Sequence, residues 1–375
     1  MTKINRRGWL KKAGLSGSAA LLSGTGVLQA FPDNHGLHSS NMSSDLIRLS
    51  ANENPYGPSG YVRKKIAEGM DYACRYPSFY PGQLLEKIAA KEGVSTDSIV
   101  LTAGSTEGLK MAGMMYGMAG SEIVAATPTF LALMSYAAQF GARINYVPLN
   151  DELVHDLPGM ERAVTDQTAL VYLCNPNNPT GTLLEGDSFM DFGRRISKKS
   201  MVFIDEAYID YIREPNYPTG VSLVKEGAKV IVAKTFSKVY GLAGMRIGYL
   251  VTQPNIASSL KSLSMGGMNI PAMFAAEAAL DDQSFYDKSL ALNEEAKEQI
   301  YQTLDRMGLK YIRTHGNFVF FKSGIPIQEL QSRAERLGVL VGRPFPPYND
   351  WCRISTGTPD QTTKFCSVIS TILMG

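Results

Sequence analysis

The sequence has little of what marks several common classes of protein. Its net charge is only +2 over 375 residues and no basic stripe is visible, so we expect no nucleic-acid partner. The four cysteines are widely scattered, and no Cys-x-x-Cys or Cys/His cluster has metal spacing, so we expect no metal site. A mildly apolar run near the N-terminus is too short and glycine-rich to predict stable insertion into a membrane.

What is present is the composition of a folded protein with a large core, 44% hydrophobic and 19% charged, with room for about two domains. Short apolar runs alternate with helical or loop segments, which predicts a doubly wound α/β sheet. We expect helices over Gln83–Glu92, from Ser105 onward with hydroxyl caps, and over Glu277–Met307. The predicted strands are Ser98–Thr102, Glu122–Ala126, Arg143–Val147, Ala169–Cys174, Met201–Ile204, Lys229–Ala233 and Gly248–Val251.

These patterns predict four parts. Residues 1–30 form an export signal, 31–70 a linker and N-terminal arm, 71–266 a large domain with a mostly parallel sheet, and 267–375 a smaller α+β domain. In the first part, Arg6 and Arg7 precede the apolar run, and a cleavage site follows Ala30. This order resembles a twin-arginine signal and predicts export to the periplasm. The alternative is a cytoplasmic protein with a disordered or amphipathic N-terminus.

The main chemical motif surrounds Lys238. Thr235 and Ser237 precede this lysine directly after a predicted strand, and Arg246 follows it. A lysine that condenses with an aldehyde must be held on rigid backbone, and hydroxyls with a guanidinium are suitable ligands of a phosphate dianion. The motif therefore predicts a covalently held cofactor. A surface loop with a solvated lysine is the plain alternative.

Asp205 ends a second apolar strand, at the position where open α/β sheets bind ligands. Its carboxylate suits a protonated ring nitrogen, and Tyr208 can donate a hydrogen bond to a ring oxygen. Taken alone, the Asp-Glu pair at this strand end is equally compatible with a metal ligand or a helix N-cap.

Two turns after other predicted strands add donors. Asn178 lies in a loop whose prolines and glycine predict a rigid turn, and its amide can donate to the same ring oxygen. Ser105 and Thr106 begin a helix after Gly104, and their backbone N–H groups are suited to a phosphate. A plain turn and a simple N-cap explain these two segments nearly as well.

Together the motifs resemble the fold-type I aminotransferases, which use pyridoxal phosphate (PLP), and most closely the histidinol-phosphate aminotransferase family. The resemblance runs from about Ile47 to the C-terminus. The motifs that carry it are Ala51–Gly57, Arg75–Pro77, Gly104–Glu107, Asn177–Gly181, Asp205–Tyr208, Ser237–Lys238 and Cys352–Thr358.

The resemblance implies a homodimer that transfers an amino group in a ping-pong cycle, with glutamate as a candidate donor and a keto acid or phosphorylated keto compound as acceptor. Lys238 would carry PLP as a Schiff base and Asp205 would face the pyridine nitrogen. The remaining implied ligands are Asn178 and Tyr208 at the ring oxygen, Phe130 on the ring, and Ser105, Thr106, Thr235, Ser237, Arg246 and the partner's Tyr56 at the phosphate. Arg353, Arg343 and Asn52 would bind substrate.

Three features depart from the family pattern. Phe130 stands where the family usually has tyrosine, so it can stack on a ring but brings no hydroxyl. Arg343 follows an extra glycine, which leaves its direction open. An export signal is unexpected for histidine biosynthesis, which is cytoplasmic.

Other functions remain open on the sequence. A PLP decarboxylase or lyase, such as a threonine-phosphate decarboxylase, would share every motif. A nicotinamide-dependent dehydrogenase is disfavoured because no Gly-x-Gly-x-x-Gly follows the first strand. An exported binding protein that has lost catalysis is disfavoured by the intact Lys238 and Asp205.

Overall fold

A computed structural model describes residues 46–80 and 82–375. The predicted export signal and most of the predicted linker lie outside these residues. The strands are β1 Ile47–Arg48, β2 Ile99–Thr102, β3 Glu122–Thr127, β4 Arg143–Pro148, β5 Thr168–Cys174, β6 Met201–Asp205, β7 Val230–Thr235, β8 Gly248–Thr252, β9 Tyr311–Ile312, β10 Phe318–Lys322, β11 Val339–Leu340 and β12 Trp351–Ser355.

Seven strands form the main sheet in the order β2-β8-β7-β6-β5-β3-β4. The strand β8 runs antiparallel to both β2 and β7, while β7, β6, β5, β3 and β4 pair in parallel. The carboxyl ends of β2, β3, β5, β6 and β7 therefore lie along one edge of the sheet. Because β8 is reversed, its first residue, Gly248, lies at that same edge.

The central strands are apolar runs because both faces of the sheet are covered. On one face Tyr172, Phe203 and Ala233 pack with residues that include Leu109 and Leu133. On the other face lies a second, larger buried cluster. The expected α/β fold with a mostly parallel sheet flanked by helices is confirmed.

The helices are α1 Gly60–Met70, α2 Gly82–Glu92, α3 Ser105–Tyr116, α4 Ala132–Gln139, α5 Leu157–Arg162, α6 Gly186–Ile196, α7 Val221–Lys225, α8 Pro254–Lys261, α9 Ile270–Asp281, α10 Gln283–Arg306, α11 Ile327–Arg336 and α12 Pro359–Met374. The predicted single helix over Glu277–Met307 is wrong. Asp282, with φ −94° and ψ 66°, separates α9 from α10, and its side chain accepts a hydrogen bond from the Phe285 amide as an N-cap.

The C-terminal part has its own sheet, in which β10 lies between β12 and β9. Phe321, Ile354 and Phe365 belong to a separate buried cluster beside this sheet. The N-terminal arm joins this part, because β1 pairs in parallel with β11 and the Ser355 amide donates to the Leu49 carbonyl at 2.9 Å. The predicted boundaries between the parts of the chain remain predictions.

Among residues 46–80 and 82–375, no helix has the length and apolar character needed to cross a membrane. Within the same ranges, no cluster of three or more His, Cys, Asp or Glu side chains is arranged to hold a metal ion.

Candidate active site

Asp205 lies at the carboxyl end of β6 and is only 2% exposed. The Tyr172 hydroxyl donates to its Oδ2 at 3.1 Å, and the Ala207 amide donates to its Oδ1 at 3.1 Å. Burial raises the pKa of the Asp205 carboxyl to about 6, although these two donors act in the opposite direction. A buried carboxylate with this pKa is suited to pair with a cationic ring.

Lys238 follows β7, the neighbouring strand, and is partly buried. Its Nζ donates to the Asn52 carbonyl at 2.9 Å and lies 5.4 Å from the centre of the Tyr208 ring. Burial, and next the positive charge of Arg353, lower the pKa of the Lys238 ammonium to about 8. A larger fraction of this amine is therefore neutral and nucleophilic near neutral pH than of an ordinary lysine.

Four of the predicted residues form one hydrogen-bonded chain next to Lys238. Arg353 Nη1 donates to Asn178 Oδ1 at 2.7 Å, and Asn178 Nδ2 donates to the Tyr208 hydroxyl at 3.5 Å. Asn52 Nδ2 donates to the same hydroxyl at 2.8 Å. The structure thus brings Arg353, Asn178, Tyr208 and Asn52 together, all of them buried.

Arg353 has one further feature that bears on ligand binding. Its Nη2 donates to the Ser50 carbonyl at 2.7 Å, while its Nε is buried without a hydrogen-bond partner in the part of the chain that the structure describes. An orphaned donor on a buried cation is costly in a protein and is relieved by an anion. The arginine is therefore suited to a carboxylate or phosphate.

The start of α3 and Arg246 form a cradle at the same edge. A Cβ atom on Gly104 would lie 2.5 Å from Arg246 Nη2, and a Cβ atom on Gly248 would lie 2.8 Å from the Ser105 amide nitrogen. Only glycine leaves room at both positions. The free N–H groups of the first turn and the Arg246 guanidinium then lie side by side, as an anion site requires.

The expected hydroxyl cap of this helix is wrong. Its N-cap is Gly104, in a left-handed conformation with φ 74°, and no side chain caps the helix in that position. Ser105 and Thr106 are instead the first two residues of α3. Nearby, the Thr235 hydroxyl donates to Ser237 Oγ at 3.0 Å, so these two side chains also lie together after β7.

Phe130 follows β3 and is partly buried beside the apolar core. The turn before it is tied to the loop after β5, because Thr129 Oγ1 donates to Asn177 Oδ1 at 2.8 Å. Asn177 Nδ2 in turn donates to the Pro128 carbonyl at 3.2 Å. These bonds fix the direction of the chain at Phe130 relative to Asn178.

The remaining two predicted residues are Arg343 and Tyr56. The exposed Arg343 stacks on the Phe345 ring at 4.3 Å, and Arg353 lies 5.0 Å from the same ring. Tyr56 is partly buried and lines a small pocket with Tyr211, among other residues of its own chain. Neither arrangement tests the role that the family resemblance implies.

Sequence reasoning missed two buried residues that contact the cluster. Tyr172 lies in the largely apolar strand β5 and its hydroxyl reaches Asp205. A hydroxyl in the middle of such a buried strand needs a polar partner, and this need was the signal available in the sequence. Ser355 Oγ accepts from the backbone N–H of Asn52 at 2.8 Å and donates to the side-chain oxygen Oδ1 of Asn52 at 3.0 Å. That contact joins segments 303 residues apart, which no local pattern reveals.

The residues at this edge fit PLP by their chemistry. The glycine-lined cradle suits a phosphate, and the buried Asp205 suits a pyridinium. Lys238, which follows the strand next to that of Asp205, provides an amine of lowered pKa. Asn178 and Tyr208 provide polar groups beside that amine.

Comparison with known proteins gives the family. The profile of the family described as "Aminotransferase class I and II" matches residues 44–369. The chain belongs to the class I and II aminotransferases. The prediction of a PLP-dependent aminotransferase is thereby confirmed, and the dehydrogenase alternative is set aside.

Individual relatives of this aminotransferase agree with that assignment. It is 38% identical to histidinol-phosphate aminotransferase of Moorella thermoacetica, covering 88% of this chain and 86% of the relative. It is 36% identical to histidinol-phosphate aminotransferase 2 of Carboxydothermus hydrogenoformans, with 88% and 92% covered. The crystal structure of histidinol-phosphate aminotransferase from Sinorhizobium meliloti in complex with pyridoxal-5'-phosphate is 27% identical, with 87% and 91% covered and a TM-score of 0.81.

Proposed function

We propose that this aminotransferase moves an amino group between an amino acid and a keto compound that carries an anionic group. The observation that carries the proposal is the buried guanidinium of Arg353, which is bonded to Asn178 and whose positive charge acts on the Lys238 amine. A cation with an orphaned buried donor, next to a reactive amine, is what recognition of an anionic amine requires.

The described residues divide between cofactor and substrate. When bound, PLP supplies an aldehyde that condenses with amines and a ring that accepts electrons from the substrate α-carbon. We propose that Asp205 faces the ring nitrogen, that Asn178 and Tyr208 face the ring oxygen, and that Phe130 stacks on the ring. The proposed phosphate ligands are Ser105, Thr106, Thr235, Ser237 and Arg246.

Lys238 has two proposed tasks, to hold the cofactor covalently and to move a proton at the substrate α-carbon. Both tasks need a neutral amine, and burial together with the positive charge of Arg353 increases the neutral fraction by lowering the pKa to about 8. The Asn52 carbonyl accepts from Nζ at 2.9 Å and gives the amine a defined position. Asn52 would thereby also contact the substrate.

For the substrate, the names of the relatives favour a phosphorylated amine. Arg353, with Arg343 across the Phe345 ring, would bind the anionic end. We propose histidinol phosphate as the first such amine to test and glutamate as the candidate amino acid. Phe130 without a hydroxyl is compatible with stacking alone.

We also propose a homodimer in which Tyr56 reaches the partner's phosphate site. A group of exposed apolar side chains supports an interface with a partner subunit, since Tyr76 is 90% exposed, Tyr72 41% and Met265 64%. The segments that carry them adjoin, because a Cβ atom on Gly267 would lie 2.8 Å from the Pro77 side chain. Apolar side chains clustered in this way commonly mark a protein interface.

The decisive experiment is a half-reaction on the purified holoenzyme. Glutamate or histidinol phosphate, added without a keto acid, should convert the pyridoxal form to the pyridoxamine form, followed by its absorbance. With glutamate, which carries a carboxylate on its α-carbon, a decarboxylase would instead release carbon dioxide and leave the pyridoxal form in place. Arg353→Lys is the matched variant, and it should weaken binding of the anionic substrate while the protein still forms the pyridoxal holoenzyme.

A further inference from the structure

Tyr172 is the buried tyrosine that contacts Asp205 from the neighbouring strand. Its side chain is fully buried, and the ring stacks on Phe203 with centroids 6.0 Å apart. Residues 172 of β5 and 203 of β6 are direct partners in the parallel register, as are Cys174 and Asp205. The tyrosine therefore lies two residues before the carboxylate in the register of the two strands, and its hydroxyl reaches forward to Oδ2.

The two oxygens of Asp205 are held from two directions. Oδ1 accepts from the backbone amide of Ala207, two residues further along the chain, and Oδ2 accepts from the Tyr172 hydroxyl on the neighbouring strand. Because the carboxyl group is buried, a donor to the ionised form is worth more there than at the surface. Without the hydroxyl, Oδ2 would have no other hydrogen-bond donor among those seen in the described residues.

The other charged and titratable groups around Asp205 do not replace this donor. Cys174 on β5 is a thiol whose pKa burial raises, so it stays neutral. Glu206, next in the chain, carries a like charge that disfavours ionisation of Asp205, whereas Lys238 favours it. Tyr208 turns its hydroxyl toward Asn52 and Asn178.

We infer that Tyr172 is a positioning residue for Asp205, whose hydroxyl fixes the carboxylate and lowers its basicity so that a bound pyridine ring keeps its proton. The inference rests on the proposed function, in which Asp205 faces the ring nitrogen. Tyr172 itself touches neither substrate nor cofactor in this assignment. Its effect is therefore on the proton shared by the ring nitrogen and the carboxylate.

The test uses holoenzyme reconstituted with PLP labelled with ¹⁵N in its ring, so that NMR reports the protonation of that nitrogen. In Tyr172→Phe the carboxylate is more basic, and the signal should move toward that of the unprotonated ring. The affinity for PLP, measured by equilibrium dialysis, should fall about tenfold, because a hydrogen bond to a charged group contributes about that factor. Replacement of Tyr172 by 3-fluorotyrosine, a stronger donor, keeps the packing and should keep the ring protonated to a higher pH than in the parent enzyme.

A matched control is Tyr249→Phe on β8. The Tyr249 hydroxyl is also buried and donates to a carboxylate, Glu92 Oε1, at 2.7 Å. This variant should lose stability while its ring-nitrogen signal stays that of the parent enzyme. If Tyr172→Phe behaves in the same way, its hydroxyl has only a structural role and the inference is wrong.

Asp205→Asn separates this inference from the proposed function. If Asp205→Asn shifts the ring-nitrogen signal and Tyr172→Phe does not, the inference fails and the placement of Asp205 stands. If Asp205→Asn leaves the signal unchanged, Asp205 does not face the ring, and both fail together. In the Asp205→Asn background, Tyr172→Phe should produce no further change in signal or affinity, because the two residues act through one contact.

Discussion

Arg353 donates to Asn178 Oδ1 over 2.7 Å, so the C-terminal sheet and the loop after β5 share one buried hydrogen bond. The bond uses the carbonyl oxygen of the Asn178 amide and leaves Nδ2 directed at the Tyr208 hydroxyl. One amide therefore connects the residue proposed to bind the substrate anion with those proposed to bind the ring oxygen. An anion that draws Arg353 away would also release Asn178.

Borohydride reduction of the holoenzyme, followed by peptide mass mapping, should place the phosphopyridoxyl group on Lys238. The nearby Lys234 is a poor candidate, because its Nζ lies 2.9 Å from Glu92 and 3.4 Å from Glu206, and these carboxylates raise its pKa. A label on Lys234 or Lys261 would overturn the assignment of the site.

Asp205→Ala should bind PLP through the phosphate cradle but lose turnover by about a hundredfold or more, since the loss of a charge in a shielded site has effects of that size. Steady-state kinetics at saturating PLP measures the effect. Asp210→Ala is the control, because Asp210 accepts from the Tyr286 hydroxyl outside the site and should keep its turnover. Turnover near that of the parent enzyme in Asp205→Ala would mean that another group protonates the ring.

Lys238→Met should stabilise the cofactor-free protein at pH 7. The folded chain holds the Lys238 proton more weakly, with a pKa of about 8 against an ordinary value of 10.5, so the buried charge lowers stability below pH 8. One pKa unit corresponds to about 1.4 kcal/mol, which gives a gain of up to about 3 kcal/mol.

This gain should shrink as the pH rises from 8 to 10.5, where the folded parent chain loses the proton that the unfolded chain still holds. Urea unfolding at pH 7 and pH 9.5 tests both statements. Lys261→Met, at an exposed position, is the control for replacement of a lysine by methionine and should leave the stability at pH 7 within about 0.5 kcal/mol of the parent. A constant gain for Lys238→Met would contradict the lowered pKa.

Mixed dimers test the proposed exchange of Tyr56 between subunits. Tyr56→Ala and Lys238→Ala, each inactive, should regain part of the activity when they are denatured and refolded together, because one site of each mixed dimer is intact. Activity that stays at background would place the Tyr56 contact within one chain. Refolding Tyr76→Ala together with Lys238→Ala tests whether the exposed side chain of Tyr76 lies at the subunit interface. An active protein that sediments as a monomer would exclude shared sites altogether.

The N-terminal prediction can be tested without the enzyme. Residues 1–30 fused to a folded reporter should deliver it to the periplasm of a bacterium with a twin-arginine system. Replacing Arg6 and Arg7 by lysine keeps the charge and should abolish delivery, while the matched replacement of Lys11 and Lys12 by arginine also keeps the charge and should leave delivery intact. A reporter that stays in the cytoplasm in every case would favour the cytoplasmic alternative.

Local patterns predicted the seven strands of the main sheet, because most of them are apolar runs that are buried on both faces, with the partly exposed edge strand β4 as the exception. The same patterns predicted that candidate site residues follow β2, β5, β6 and β7. These residues were expected to lie close together because the carboxyl ends of parallel strands meet at one edge of the sheet. The break at Asp282 was missed because one capping side chain interrupts a continuous helical pattern. The contacts of Tyr172 and Ser355 depend on strand register and on distant segments, which a single sequence does not encode locally.

The two sheets have a consequence for how new activities would arise. The residues proposed to hold the cofactor project from the edge of the seven-stranded sheet, whereas Arg353 and Arg343 lie on or beside the C-terminal sheet. Mutagenesis confined to Arg343 and the other exposed residues between β11 and β12 would therefore change the preferred substrate while every proposed cofactor ligand is retained. Such libraries should yield a high share of variants that still bind PLP, and selection on a new amine could proceed without first repairing the holoenzyme.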